Sequence, residues 1–239
     1  MRNTEGENCV KNKPFPTRRE MRGVFYLNII TMATKKKVEN TQEKEVNVSL
    51  NLKTISVPIR GISPLIVSRF DTKSQQEIID KAPGKAKQGK KMRTPEEEYL
   101  DSLYLMSDGK TPCFPARGFK AAMVRAAQVV YGCQMVKVRT LFRVIGDDEN
   151  GDLVKINGTH RMRQDMVRVG TINKTAAPRY RAEFPEWSAN LTIQYIADAI
   201  SEEQIISYLN AAGFTCGVGE WRPEKSNSGS YGLFQVVNS

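Results

Sequence analysis

The residues best suited to chemistry are concentrated near the C-terminal end of the sequence, between residues 213 and 234. Five glycines lie there: Gly213, Gly217, Gly219, Gly229 and Gly232. They surround Trp221, Arg222 and Lys225. Glycine allows positive φ angles and lets backbone amides approach a phosphate, while the cations supply opposite charge. The segment therefore predicts a phosphate or nucleic-acid contact, although a flexible hairpin loop before the last strand would look similar.

Two features of this segment limit that interpretation. The GxxxxGK[ST] spacing of a nucleotide phosphate loop is not present in it. Trp221 can either stack on a base or fill the core, and the sequence leaves both roles open.

Helix 116–131 offers a second candidate contact, because Arg117 and Lys120 follow its start and a helix N-terminus attracts anions. A solvated helix face is the alternative.

Two basic runs are the other candidate contacts. Residues 81–93 (KAPGKAKQGKKMR) contain six lysines or arginines and no acid, so they predict a loop. Residues 157–181 have no clean period and predict a long basic excursion, with a hairpin as one shape open to it. The residues expected to track a phosphate backbone are Lys85, Lys87, Lys90, Lys91, Arg161, Arg163 and Arg168.

Catalytic and metal chemistry find little support in the sequence. The four cysteines form no CxxC pair, and His160 is the only histidine. A histidine-rich metal site and a serine–histidine–aspartate triad are therefore not expected. We predict no catalytic residue, no metal and no cofactor. Scattered cysteines without a disulfide framework also fit a reducing, cytoplasmic setting.

Several segments carry clear signals for the elements that would position these residues. Residues 47–62 alternate as a strand, with Pro58 indicating an edge or a break, and residues 63–70 are expected to finish that strand. Thr94 and Pro95 begin a helix. Further strands are predicted at 135–145, 152–156, 187–196 and 231–237, a helix at 116–131 ending at Gly132, and a helix from Ser201 closing at Gly213.

This order of elements predicts an α+β fold. The expected architecture is a ferredoxin-like or RNA-recognition-type antiparallel sheet, with helices on one face and long basic insertions at 71–112 and 157–185. The open face of such a sheet is a usual surface for stacking bases. Residues 47–239 would form this domain.

The overall charge favours a polyanionic partner. The 239-residue chain has a net charge of +10 and a pI of about 9.5. Neutralising phosphates releases condensed counterions, which strengthens binding. Residues 1–46 are expected to be a disordered leader, or an over-extension of the reading frame ahead of Met32. The apolar run at 24–30 is too short to span a bilayer, so no membrane partner is expected.

Three motifs, taken in order, resemble the RAMP superfamily (repeat-associated mysterious proteins), especially the backbone subunits of CRISPR effector complexes. They are the strand entering Gly61-Ile62-Ser63-Pro64-Leu65, the helix opening at 114–122 (FPARGFKAA), and the glycine-rich loop at 217–232. The resemblance covers about residues 47–239. The chain also looks like uncharacterised phage and prophage proteins with a GVGEWRPEK block.

The resemblance implies an RNA-recognition-type fold that binds a guide or another single strand as part of a multi-subunit filament. The excursion at 157–181 would correspond to the thumb-like hairpin of those subunits. Some members of the superfamily cleave RNA with an aspartate after the first strand, and Asp71 lies in such a position.

Three functions therefore remain open from the sequence. The favoured one is non-catalytic binding of single-stranded RNA or DNA, RNA first, with self-association or other protein subunits as further partners. The second is an RNA endonuclease of the same fold that uses Asp71 or His160. The third is a phage inhibitor of a host RNA-guided complex.

Overall fold

The computed structural model of the protein describes residues 50–69, 94–169 and 175–237. The predicted leader, Asp71 and the lysines of the 81–93 run lie outside these residues. The first strands are β1 (Leu52–Gly61), β2 (Leu65–Val67), β3 (Tyr104–Leu105), β4 (Pro112–Pro115) and β5 (Phe142–Ile145). The later ones are β6 (Leu153–Lys155), β7 (Arg161–Val169), β8 (Thr175–Phe184), β9 (Ser188–Ile196) and β10 (Phe234–Val236). The helices are α1 (Pro95–Asp101), α2 (Ala116–Tyr131), α3 (Met135–Leu141) and α4 (Glu202–Thr215).

The main sheet has the strand order β10-β1-β9-β5, and every pairing in it is antiparallel. Strand β1 leads through α2 to β5, with β9 between them; β9 leads through α4 to β10, with β1 between them. This split βαβ arrangement is the ferredoxin-like topology. The predicted α+β class and antiparallel sheet are therefore confirmed.

One face of the main sheet supports α2 and α4, which also pack against each other. The alternation of β9 turns Leu191 and Ile193 inward, where they are fully buried. Phe119 of α2 lies 5.9 Å from Phe234, ring centre to ring centre, and Phe234 lies 6.1 Å from Trp187. Burying these large apolar groups is the main favourable term for the fold.

The opposite face of the main sheet is polar. It presents Thr54 and Ser56 of β1 beside Thr192 and Gln194 of β9, with Arg143 on β5. On this face the strands β1, β5, β9 and β10 place no aromatic residue. The expectation that bases stack on the open face is therefore not supported by these strands.

A second sheet has the order β2-β8-β7, and β7 and β8 form a long antiparallel hairpin. The hairpin occupies the segment predicted to be a basic excursion, in agreement with its hairpin-like interpretation. Helix α1 packs against β8. A third small sheet joins β3, β4 and β6.

Several predicted elements differ in detail. Residues 65–67 do not finish β1; they form the separate strand β2, which pairs with β8 in the second sheet. Residues 135–141 are helical rather than extended, and only 142–145 form a strand. Helix α4 continues past Gly213 to Thr215. A side chain at Gly213 would meet the Phe234 carbonyl oxygen, so this glycine allows helix and strand to pack closely.

Pro58 lies within β1, opposite Asn190 of β9, and its carbonyl accepts a 2.9 Å hydrogen bond from the amide of Val237. In an antiparallel strand the N–H and C=O of one residue point to the same side, so the missing donor of Pro58 faces the β10 side of β1. Strand β1 continues through Pro58, between β10 and β9, without the break that the sequence offered as one alternative.

Candidate nucleic-acid interface

The hairpin presents an alternating row of charged residues on one face. Its register sets Arg161 opposite Glu183, Arg163 opposite Arg181, and Asp165 opposite Arg179. Because strand residues two apart share a face, these six side chains form one charged surface.

Glu183 is the most buried of these six residues. It is only 3% exposed, and it accepts hydrogen bonds from Arg161 Nε at 2.7 Å and Arg163 Nη1 at 2.8 Å. Burial alone would raise the pKa of this carboxyl, but the two hydrogen bonds outweigh it and the pKa lies below its usual range. Glu183 therefore holds the two arginines in place as an anion.

Arg163 connects the hairpin to the C-terminal loop. It donates a second bond to Asp165 at 2.9 Å, and its guanidinium lies 4.7 Å from the ring centre of Tyr231. Burial lowers the pKa of this guanidinium, but the bonds to Glu183 and Asp165 more than compensate and raise it overall. Arg163 thus has a clear structural role.

The other two hairpin cations named from sequence are more accessible. Arg161 keeps 67% of its side chain exposed in spite of its bond to Glu183. Arg168 is exposed and has no ion pair among the described residues. These two could meet a polyanion without breaking a buried contact.

The glycine-rich loop closes against the second sheet. Gly217 and Gly219 have φ angles of 64° and 81°, in the left-handed region that glycine favours. A Cβ on Gly219 would collide with the Ile66 carbonyl oxygen of β2. The amide of Glu220 donates to that same oxygen at 2.9 Å, and the amide of Val218 donates to Gly232. These glycines therefore allow close packing of the protein on itself.

The cations of the loop have partners within the loop. Arg222 donates from Nη1 to the Gly219 carbonyl at 2.8 Å and from Nε to Glu224 at 3.1 Å. Lys225 lies 3.0 Å from both carboxylate oxygens of Glu220. Arg222 is thus paired with Glu224, and Lys225 with Glu220.

The two tryptophans have different roles. Trp187 is buried, and its indole N–H donates to the Ser63 carbonyl at 2.9 Å. Trp221 is half-buried beside a groove between the hairpin and the loop. It has a φ of 56° and is the one non-glycine residue with positive φ in the described part of the chain.

Helix α2 places Arg117 in an exposed position and Lys120 in a half-buried one. Neither forms an ion pair with a described residue. The first helical amide, that of Ala116, already donates to the Asp152 carbonyl at 2.7 Å. An anion bound at the N-terminal end of α2 would therefore be held by the side chains of Arg117 and Lys120 and by the other amides of the first helical turn.

His160 lies in a packed environment. Its Nδ1 is 2.5 Å from the hydroxyl of Tyr99, and its ring meets the edge of Phe184 at 5.4 Å.

Burial raises the pKa of the Cys113 thiol to about 11, which keeps it protonated and unreactive near neutral pH. Across the described ranges no three metal-ligating side chains cluster.

The positive charge is unevenly distributed along the chain. The described residues contain 18 lysines and arginines against 17 acids, whereas the whole chain has 36 against 26. Residues 70–93 alone hold seven basic residues against three acids. The folded body is thus nearly neutral, and most of the basic surplus belongs to the remaining segments.

The described residues on both sides of segment 70–93 lie at the second sheet. The amide of Arg69, just after β2, donates to the Ser102 carbonyl at 2.9 Å, just after α1. Strand β2 pairs with β8, and α1 packs on β8 as well. Both attachment points therefore lie beside the charged hairpin.

The sequence did not single out Glu183, Arg181 or Tyr231. The alternation of charge within 161–183 was the available signal, because it places arginines and acids on one face of paired strands. Only the pairing register connects Glu183 to Arg161 and Arg163.

Among the helices of the described segments, none is long and apolar enough to cross a membrane.

Comparisons with known proteins give only distant similarities. No family model and no curated protein matches the sequence. A cryo-EM structure described as the Type III-B Cmr-beta bound to cognate target RNA is 13% identical, with a TM-score of 0.47, over 96% of this chain and 78% of that chain. The crystal structure of Cmr6 from Pyrococcus furiosus is 11% identical, with a TM-score of 0.39, over 79% of this chain and 100% of that chain. At these scores neither similarity bears on function, and the resemblance to the RAMP superfamily stays a prediction.

Proposed function

We propose that this protein binds single-stranded nucleic acid, RNA in the first instance, without cleaving it. The strand would lie along the second sheet, between the basic segment 70–93 and the hairpin β7–β8. Lys85, Lys87, Lys90 and Lys91 would contact phosphates there, together with Arg161 and Arg168.

The observation that carries this proposal is the distribution of charge relative to the fold. The described residues are nearly neutral, whereas the basic segment 70–93 follows β2 in the sequence, and β2 pairs with the arginine-rich hairpin. Charge arranged in this way suits a long polyanion better than a small anion, because each phosphate contact adds a similar increment of binding. The polar open face of the main sheet gives no support to base stacking there.

A multi-subunit assembly is the second part of the proposal. Exposed apolar side chains gather at the end of α2 and the start of α3: Val129, Val130, Tyr131, Met135 and Val136. Apolar patches of this kind are common at protein–protein contacts. We propose that this surface contacts a neighbouring copy of the chain along a strand, as expected for a filament.

Equilibrium binding of labelled RNA and DNA strands of about 20 nucleotides, longer than one binding module covers, tests the function. We expect tight binding at low salt, an affinity that falls steeply as salt rises, and intact strands recovered after incubation with Mg²⁺. Sedimentation of the same mixtures tests the assembly, which should grow with strand length. Absence of strand binding at low salt would refute the proposal. Cleavage that His160→Ala or Asp71→Asn abolishes would favour the endonuclease instead.

A further inference from the structure

A groove of about 450 Å³ separates the hairpin from the C-terminal loop. Arg181 borders it on the hairpin side, and Trp221, Lys225 and Asn227 border it on the loop side. This volume lies within the range of roughly 300–1,000 Å³ typical of small-ligand sites.

Arg181 is incompletely satisfied by the protein. Its side chain is only 17% exposed, yet its Nη1 has no hydrogen-bond partner among the described residues. The nearest acid, Asp165, lies 3.9 Å away, and its Oδ2 also lacks a partner. These are the two buried side-chain atoms in the described segments without a partner. Unsatisfied buried groups are costly, and where they persist a ligand or ordered water is a common reason.

Trp221 is held in a strained conformation beside the same groove. A bulky residue with φ of 56° is rare, because its side chain strains the backbone in this region. A Cβ on Gly229 would collide with the Trp221 carbonyl oxygen, so Gly229 lets the two limbs of the loop close around this tryptophan. Strained residues gather at ligand sites, where the fold holds a side chain in position for contact.

The charges around the groove indicate what it could hold. Two of the three N–H donors of Lys225 go to the carboxylate oxygens of Glu220, which also borders the groove, so one donor remains for a phosphate. Arg181 adds a second cation, while Asn227 offers both a donor and an acceptor for the edge of a base. Trp221 offers an aromatic face, on which any base can stack.

We propose that this groove holds one unstacked nucleotide of the bound strand, with its base against Trp221 and its phosphate at Arg181 and Lys225. The proposal rests on the proposed function and adds a specific subsite to it. The basic segments would bind the strand along its length, whereas the groove would accept a single base turned out of the stack.

Calorimetric titration with the four ribonucleoside 5′-monophosphates, and with ribose 5-phosphate, tests the groove separately from the strand. We expect the nucleotides to bind about tenfold or more tightly than ribose 5-phosphate, because only they can stack. Trp221→Leu should weaken the nucleotides by about tenfold to a hundredfold, whereas Trp221→Phe should retain most of the affinity. Lys225→Gln, a change at an exposed residue, should weaken nucleotides and ribose 5-phosphate alike.

Phe214→Leu is the matched control, since it removes an exposed aromatic ring from α4 that does not border the groove, and it should leave nucleotide binding unchanged. Melting temperatures show whether each variant folds; if Trp221→Leu does not, the Phe and Lys225→Gln variants still decide. Equal binding of ribose 5-phosphate and nucleotides would overturn the proposal, as would nucleotide affinity that none of the groove variants changes. Strand binding without any nucleotide binding would refute the nucleotide site in the groove and leave the proposed function intact. Nucleotide binding without strand binding would refute the proposed function and leave the nucleotide site in the groove intact.

Discussion

Position 219 requires glycine for a structural reason that its sequence context did not reveal. Its positive φ and its contact with the Ile66 carbonyl both disfavour a side chain. We predict that Gly219→Ala lowers the free energy of unfolding by about 2 kcal/mol or more, the sum of backbone strain and steric displacement of β2. Chemical denaturation measures this change.

Gly109 provides the control for that variant. It has a similar φ of 65°, but a Cβ there would meet nothing within 4 Å. Gly109→Ala should therefore show the strain alone, about 1 kcal/mol. Equal losses in the two variants would contradict the close packing of the loop on β2.

A variant of Arg222 can distinguish a structural role of this residue from a role in strand binding. Its bonds to Gly219 and Glu224 predict that Arg222→Ala lowers the free energy of unfolding by about 1–2 kcal/mol. If Arg222 also contacts a phosphate, the same variant should lose about tenfold in strand affinity at temperatures where it remains folded. A destabilised protein that binds strands normally would remove Arg222 from the interface.

At the scale of elements, the hairpin depends on one buried carboxylate. The pKa of Glu183 is lower in the folded protein than in the unfolded chain, so the folded state releases this proton more readily. The stabilisation is therefore fully present above the unfolded value, near pH 4.5, and it is lost as the pH falls through the folded value. We predict that Glu183→Gln lowers the free energy of unfolding at pH 7 by about 1.5–3 kcal/mol.

The pH dependence distinguishes this role from simple packing. Urea unfolding of the wild type should show a loss of stability as the pH falls below about 4.5, and part of that slope should be missing in Glu183→Gln. Glu186→Gln is a suitable control, because Glu186 is exposed on the turn that follows β8. An unchanged slope in Glu183→Gln would show that the hairpin arginines do not depend on this charge.

The basic segment between β2 and α1 is the element expected to set non-specific affinity. Neutralising Lys85, Lys87, Lys90 and Lys91 together should weaken binding to all strand sequences. It should also flatten the dependence of log affinity on log salt by roughly 0.7 for each phosphate that is no longer neutralised. Fluorescence anisotropy over a range of salt concentrations measures both quantities.

The control for this variant replaces cations on α3 instead. Lys137 and Arg139 are exposed there, on an element that contacts α2 and β5. Changing both to glutamine should affect the salt slope little. If the quadruple lysine variant keeps the wild-type slope and affinity, the segment does not form part of the interface.

At the scale of the whole molecule, the described fold is built from residues 50–69, 94–169 and 175–237, and the predicted leader precedes them in the sequence. We predict that deleting residues 1–31 leaves the melting temperature within about 2 °C of the full chain, because polar and charged residues dominate that segment. Strand affinity should also be unchanged, since the proposed contacts lie elsewhere. A large loss of either property would show that the leader contributes to the fold or to binding.

Local signals were sufficient for much of this protein. Thr94 with Glu97 and Ser201 with Gln204 form the capping boxes that begin α1 and α4. Gly132 ends α2 with a φ of 67°, and the alternation of 188–196 places the inward residues of β9 correctly. These features depend on residues only a few positions apart, which is why the sequence by itself determined them.

Tertiary contacts decided the rest. Residues 135–141 contain β-branched residues at alternating positions, yet they fold as a helix that buries Val138. Residues 65–67 pair with β8, more than a hundred positions away, rather than extending β1. The contact of Gly219 with Ile66 likewise joins residues far apart in the sequence, and the partners of Glu183 and Arg181 are set by the register of the hairpin. Short segments follow the surface they pack against more than their own propensity, and the pairing register that joins distant residues leaves no local trace in the sequence.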